Sequence, residues 1–331
     1  MAKRDNKIAI AQALSDGEFH SGEHLGKALG ISRMAVANHV KSLNALGLDI
    51  FSVTGKGYKL SESLSMLSAA EIEYEEFKGN VEVHSIIDST NAYLSSLIRN
   101  KQSLVDGYSV IAECQTAGRG RRGRQWQSPF GSHIYFSQYR MMEDGLAAAA
   151  GLSLAVGIAV KRACEELVNV DLELKWPNDI LAKGKKLAGI LVEAEGQSDG
   201  ACHLVIGIGI NINMPEQFAE QIDQPWTDLN TLASGTINRN QLVRGLLKHL
   251  DSVYDEYQSN RLVNLVDEWN AANAHKDKPV KVISTSNEKR GKCLGIDQTG
   301  ALLLEQAECS TVLKIYGGEV SLRVDNAKPI N

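Results

Sequence analysis

Residues 118 to 126 read Gly-Arg-Gly-Arg-Arg-Gly-Arg-Gln-Trp, four arginines and three glycines with no acid among them, in a 331-residue chain of formal net charge −5. Glycines let a backbone approach a ligand closely and turn its N–H groups toward an anion. Guanidinium groups fork onto carboxylate or phosphate oxygens in a planar, bidentate way. Trp126, closing the stretch, offers a face broad enough to cover a flat ring. The residue types therefore specify a loop that gathers negative charge. Alone, they fit a solvated basic loop or a nonspecific RNA-binding patch equally well, so the identity of the anion has to come from elsewhere.

The elements that must position this loop can be read on either side of it. Val81 to Ile87 reads as a strand, and a helix follows with Leu94, Leu97 and Ile98 on one side. Ser89, Thr90 and Asn91 then sit on a strand-to-helix turn, a common place for ligand contacts and equally for ordinary N-capping. Tyr108 to Glu113 is a second strand, and Gln115 leaves it for the arginine loop. Both turns fall after parallel-type strand ends, where crevices form in mixed sheets. Ser132 to Tyr139 is a strand. Leu146 to Leu167 reads as one long, Ala-rich helix. Leu172 to Trp176 alternates as a strand and breaks at Pro177, with Asn178 and Asp179 in the turn. Lys183 to Lys186 turns the chain into Leu187–Glu193. Gly207 and Gly209, inside the apolar strand His203 to Asn211, indicate that something packs closely against that backbone.

The first sixty residues read as a winged helix-turn-helix. A helix over Lys7–Leu14 precedes a second that Ser21 caps, ended by Gly30 in the position suited to a left-handed turn. Ser32 caps a third in which Val36, Val40 and Leu43 recur at helical spacing. The helix-turn-helix spans Ser21 to Val40, and Ile50 to Leu60 forms a hairpin wing with a glycine-rich tip. Ser32, Arg33, Asn38, His39 and Lys41 on the third helix, with Lys56 in the wing, are placed to meet DNA. A helical dimerisation module that never touches DNA is the competing reading.

Composition sets the bounds. Hydrophobic residues make up 43% and charged residues 23%, values of a soluble globular chain. No apolar run is long enough to span a bilayer, and Met1 to Asp5 carries charge without the apolar core of a signal peptide. Cys114, Cys164, Cys202, Cys293 and Cys309 are odd in number and scattered, which points away from a disulfide framework or a structural zinc site and toward a cytoplasmic setting. The Ser-rich stretch Ser61 to Ser65 marks a boundary. Domains are expected over 1–62 (DNA-binding), 66–271 (catalytic) and 272–331, where short strands from Pro279 onward suit a small SH3-like barrel.

Five separated blocks carry a resemblance. They are Asp88-Ser89-Thr90-Asn91, the stretch 118–124, Lys175-Trp176-Pro177-Asn178-Asp179, Lys186-Leu187-Ala188-Gly189-Ile190-Leu191 and Gly207-Ile208-Gly209-Ile210-Asn211. Their types and order resemble biotin–protein ligases, and with a winged helix in front the chain is similar to the bifunctional ligases that also repress the biotin operon. Residues 317 to 323 resemble that family's closing block. The resemblance implies an α+β multidomain fold with a central mixed-sheet α/β ligase domain. It implies that biotin and Mg·ATP form biotinyl-5′-adenylate, and that biotin then passes to a lysine of a biotin carboxyl carrier protein domain of acetyl-CoA carboxylase.

By the same resemblance, Ser89, Thr90, Asn91 and Gln115 meet the biotin ring, with Gly189 beside it. Arg119 and Arg121, with the Gly118 and Gly120 backbone, hold carboxylate and phosphate oxygens. Lys186 bridges the two anions, Trp126 covers adenine, and Asn178, Asp179 and Asn211 line the nucleotide side. No fixed protein metal site is implied, since Mg2+ arrives with ATP. The adenylate acts as corepressor, promoting a homodimer that binds operator DNA. A lipoate–protein ligase and a biotin-sensing regulator without ligase activity are the alternatives.

Overall fold

The computed structural model describes residues 5–196, 200–233, 235–284, 287–306, 311–317 and 320–325. Met1 to Arg4, Cys309, and Gly318 and Glu319 of the closing block lie outside them. The winged helix forms as its caps dictate. Helices α1 (Asn6–Leu14), α2 (Gly22–Leu29) and α3 (Arg33–Ala45) begin at Asp5, Ser21 and Ser32, whose side chains accept backbone N–H groups of Lys7, His24 and Ala35. Gly30 ends α2 at φ +69°. Strands β1 (Ile50–Val53) and β2 (Gly57–Leu60) make the wing hairpin.

The short helix α4 (Ala69–Ile72) leads to strand β3 (Val81–His84), helix α5 (Thr90–Arg99), and strands β4 (Ser109–Ala112) and β5 (His133–Met142). The long helix expected over Leu146–Leu167 is two pieces: a 3-10 turn over Leu146–Ala149, then α6 (Leu152–Glu165). Gly151 separates them at φ +88°, and a Cβ there would stand 2.7 Å from Leu262 Cδ1. Strands β6 (Glu173–Lys175), β7 (Asp179–Ala182), β8 (Lys185–Gly196) and β9 (Cys202–Asn211) follow. Helices α7 (Glu216–Ala219), α8 (Leu229–Leu232), α9 (Arg239–Asn260) and α10 (Val266–Ala271) come next.

The central sheet has the order β3-β4-β5-β9-β8-β7-β6, with β3 and β4 parallel and the other neighbours antiparallel. Helices α6 and α9 cover one face through the main apolar core, which holds Phe136, Ile206, Ile208 and Ile210. Helix α5 covers part of the other face through Leu94 and Leu97 against Val110, Tyr139 and Val205. The C-terminal segment forms a five-stranded antiparallel sheet of β10 (Pro279–Ile283), β11 (Glu288–Ile296), β12 (Leu302–Glu305), β13 (Val312–Ile315) and β14 (Ser321–Val324).

Cys114, Cys164, Cys202 and Cys293 are buried free thiols. Among the described residues no helix is long and apolar enough to cross a membrane.

Candidate active site

Strand periodicity builds the floor of the site. On β9 the residues facing α5 are Val205, Gly207 and Gly209, so the side chains on that face shrink to nothing as the strand leaves the cover of the helix. Gly189 pairs with Gly209 across β8 and β9. The open floor is immediately filled: a Cβ on Gly207 would overlap the amide of Asn91, and one on Gly209 would lie 2.5 Å from Cε2 of Trp126. The close approach that the two strand glycines foretold is therefore an asparagine amide over one and an indole over the other.

Ser89 caps α5, its hydroxyl accepting from Ala92 N at 3.4 Å. The first residues of that helix hang over the floor, and Ser89, Thr90 and Asn91 are all buried. A polar chain joins them to the next turn. The Asn91 amide N–H donates to Glu193 Oε2 at 2.8 Å, and Asn91 Oδ1 accepts from the Ser137 hydroxyl at 2.5 Å. Thr90 donates its backbone N–H (2.9 Å) and its hydroxyl (3.2 Å) to Gln115 Oε1, and Gln115 Nε2 donates to Ser128 Oγ at 3.1 Å. Such a fully paired network fixes the orientation of each member.

Strands β3 and β4 run on as a parallel bridge, Ile87 to Gln115, and Thr116 N and Ala117 N donate to Ile87 O and Asp88 O. The Ser89 turn and the arginine loop are thereby laid side by side. The loop is a tight hairpin: Trp126 N donates to Gly118 O, Gly120 N donates to Arg124 O at 2.7 Å, and a single 3-10 turn spans Arg121–Gly123. Arg122 and Gly123 both take positive φ, so the tip reverses within two residues.

The cations converge on this cleft and on the groove beside it. Lys186 Nζ lies 2.7 Å from Asp179 Oδ1 and 5.4 Å from the centre of the Trp126 ring. Arg121 Nη1 donates to Asn178 Oδ1 at 2.7 Å, and Arg119 Nη2 to Glu193 Oε2 at 3.1 Å. Lys175 stands 3.9 Å from the other oxygen of Asp179. Burial pushes the ammonium of Lys175 below its ordinary pKa; Asp179 opposes the shift, and the neighbouring cations Arg323, Lys186 and Arg124 add to it. Burial likewise lowers the Arg121 guanidinium. Cations crowded and desolvated in this way are stabilised by any polyanion that enters among them.

Of the residues singled out from the sequence, Ser89, Thr90, Asn91, Gln115, Arg119, Gly120, Arg121, Trp126, Asn178, Lys186 and Gly189 line one cleft, walled by Tyr135, Phe136, Ile190 and Leu191. Gly118, at the foot of the loop, lines an adjoining recess with Arg119 and Glu193, and a Cβ on it would strike Ser128 Oγ. Asp179 borders a neighbouring basic groove that also holds Arg122, Arg124, Lys175 and Arg323. Asn211 reaches a third recess between Trp126 and Trp226, but its amide N–H donates to Thr227 O and Lys186 O, so it braces the strand carrying Lys186.

Ser137, Ser128, Glu193, Trp226 and Arg323 were not singled out. A serine and a glutamate facing the same side as the strand glycines were the available signals for Ser137 and Glu193. Nothing local marks Trp226, which arrives from a loop; Arg323 lies in the closing block 317–323, but no role is read for it there, and it arrives from the C-terminal sheet.

On the winged helix, Ser32, Arg33, Asn38 and Lys41 are exposed along α3, His39 is half-buried, and Lys56 is exposed at the wing tip. The side of α3 that carries Val36, Val40 and Leu43 faces inward.

Family profiles match three successive segments: an HTH domain over residues 6–59, the Biotin/lipoate A/B protein ligase family over 83–211, and the Biotin protein ligase C terminal domain over 275–323. The chain is 43% identical over 317 residues to the bifunctional ligase/repressor BirA of Salmonella typhimurium, covering 96% of this chain and 97% of that one. It is 41% identical over 323 residues to that of Escherichia coli, covering 97% and 98%. Among solved structures, the biotin protein ligase from Aquifex aeolicus in complex with biotin and ATP superposes with a TM-score of 0.64 at 28% identity, over 75% of this chain and 100% of that one. The chain belongs to the biotin–protein ligase family, in its bifunctional ligase/repressor branch.

Proposed function

We propose that this protein joins biotin to a carrier-protein lysine through biotinyl-5′-adenylate and, with that adenylate bound, represses transcription from operator DNA. The observation that carries the first half is the convergence of Lys186, Arg119 and Arg121 on a cleft whose other end is lined by Ser89, Thr90, Asn91 and Gln115. A neutral polar end suits the ureido ring of biotin, and a cationic end suits its carboxylate beside a nucleotide phosphate.

A carboxylate oxygen of biotin attacks the α-phosphorus of Mg·ATP and pyrophosphate leaves. Both reactants are anions, so the protein's task is to hold them together and to neutralise the charge that builds on the phosphoryl oxygens. Lys186 serves as the point charge between them, positioned by Asp179. Arg119 takes the carboxylate side and Arg121, held by Asn178, the phosphate side. The basic groove of Arg122, Arg124, Lys175 and Arg323 suits the leaving pyrophosphate. Trp126 and Trp226 flank a recess fit for adenine. The carrier lysine, as free amine, then attacks the carbonyl of the mixed anhydride, AMP departs with the bonding pair, and the proton lost by the amine passes to solvent. No enzyme nucleophile is needed.

The decisive experiment incubates the full chain with biotin, Mg·ATP and a carrier domain and reads carrier mass. Lipoate in place of biotin tests the neighbouring substrate. No labelling with either, despite binding of biotin, would leave a regulator without ligase activity. For the second half, the exposed Ser32, Arg33, Asn38, Lys41 and Lys56 support insertion of α3 in the major groove with the wing on the backbone. The adenylate is expected to promote a homodimer whose two helices match an inverted repeat, and sedimentation with and without adenylate checks that step.

A further inference from the structure

Two carboxylates border the cationic end of the cleft, and each holds one of its cations. Asp179 holds Lys186. Glu193, on β8, places a single oxygen 3.1 Å from Arg119 Nη2 and 2.8 Å from Asn91 Nδ2. That oxygen joins the polar end of the site, through Asn91, to the anion-gathering loop, through Arg119. The Arg119–Glu193 contact is a carboxylate–guanidinium pair of the same chemistry that an anionic substrate would form with Arg119. Both partners keep contact with solvent, with side chains 46% and 32% exposed, so the guanidinium can leave without stranding a buried charge. When it leaves, the Asn91 amide still satisfies the Glu193 oxygen.

Resting on the ligase reading, we propose that Glu193 is a positioning residue that acts as a competitor built into the site. Its carboxylate keeps Arg119 against β8, so a ligand wins the guanidinium only by exchanging one carboxylate for another. The consequence is selectivity for charge. A ligand with the right ring and no anion can occupy the Asn91 end but cannot take Arg119, and the loop residue stays on β8. A ligand carrying a carboxylate draws Arg119 off Glu193 and into the cleft. The Asn91 contact keeps Glu193 in place throughout, so the exchange is reversible.

The test compares biotin with biotinamide, its uncharged carboxamide, by titration calorimetry on the full-length protein and its Glu193→Gln variant. The glutamine keeps an acceptor for Asn91 and removes the competing charge. Because the pair is partly exposed, biotin should bind about two- to fivefold more tightly to the variant, while biotinamide binding stays unchanged. In an Arg119→Ala background the same Glu193→Gln change should have no effect that distinguishes the two ligands.

Equal shifts for both ligands would mean that Glu193 only supports Asn91, and no shift or a selective loss for biotin would mean that it does not compete; each overturns the proposal. Should Glu193→Gln fail to melt cooperatively, Glu193→Asp takes its place; it draws the shared oxygen back from Arg119 and Asn91 alike. The Asn91 loss falls on both ligands, and the ratio of biotin to biotinamide affinity should still rise about two- to fivefold, an unchanged ratio overturning the proposal. Carrier labelling by the wild-type chain is scored separately. Its absence overturns the ligase reading, whereas labelling with an unselective Glu193→Gln effect overturns this inference alone.

Discussion

At the scale of single residues, Lys186 and Asp179 act as a pair. Lys186→Ala should lower the rate of pyrophosphate release from biotin and ATP by about 100-fold or more, the range seen when a group that stabilises transition-state charge is removed. Asp179→Asn keeps the lysine and loses only the carboxylate 2.7 Å from it, so a smaller fall, about tenfold, is expected. Equal losses in the two variants would show that the lysine has no role apart from its partner.

His133 gives a different residue-scale prediction. It is fully buried, its Nδ1 accepts from Ile212 N at 3.0 Å, and burial pushes its pKa down to about 4. In the unfolded chain a histidine titrates near ~6.5, so as pH falls from there the unfolded chain takes up a proton that the folded chain refuses. Stability is therefore lost between pH ~6.5 and pH ~4, by up to about 3 kcal/mol. His133→Asn, which keeps an acceptor for Ile212, should flatten that part of the acid limb in denaturation curves; an unchanged limb would rule the residue out.

At the scale of elements, β9 carries the division of the cleft into two ends. Gly207 lies beneath Asn91 and Gly209 beneath Trp126. A methyl group at either position must displace what lies above it, so the two substitutions should separate. Gly207→Ala should raise KM for biotin, and Gly209→Ala should raise KM for ATP, each by about tenfold if the displaced contact is worth ~1.4 kcal/mol. Steady-state kinetics with each substrate varied checks the crossed pattern, and parallel changes in both constants would sink it. The β8–β9 pairing also explains why these glycines were readable beforehand. Alternation assigned them to one face, and only a close neighbour explains two missing side chains there.

The broken helix before α6 shows the reverse. Its Ala-rich sequence favours one continuous helix, but Gly151 packs under Leu262, more than a hundred residues away. Local propensity gave way to a tertiary contact.

At the scale of the whole molecule, the root of the arginine loop is buried in the winged-helix domain. Cys114 and Phe130, which flank the loop in sequence, belong to the apolar cluster of Val36, Val40 and Leu43, and Phe130 N donates to Leu46 O at 2.7 Å. The segment after β9 joins the same contact, with Gln217 Nε2 donating to Asn44 O at 3.3 Å. Gly47 sits at the junction with φ +106°, and a Cβ there would fall 2.5 Å from Pro129 Cβ and 3.1 Å from Phe218. Gly47→Ala should cost about 1–3 kcal/mol through backbone strain and overlap. It should also speed proteolytic cleavage between Ser61 and Ser65 if the two domains part. Cleavage at the wild-type rate, with an unchanged melting temperature, would mean that the junction absorbs the methyl group.

Sequence alone determined the parts whose causes are local. Caps and a left-handed glycine set the three helices of the winged domain, alternation set the strands, and the residue types of 118–126 set a loop made to bind anions. Chain order placed the Ser89–Asn91 turn and that loop after strand ends, and the family resemblance joined Ser89, Thr90, Asn91 and Gln115 to it as one ligand site. Tertiary structure decided which cation meets which carboxylate, that Trp126 rests on Gly189 and Gly209, and that Arg323 and Trp226 reach the site at all. Those outcomes depend on contacts between residues far apart in the chain. Such contacts form only when buried faces pack, and no local pattern records who the distant partner will be.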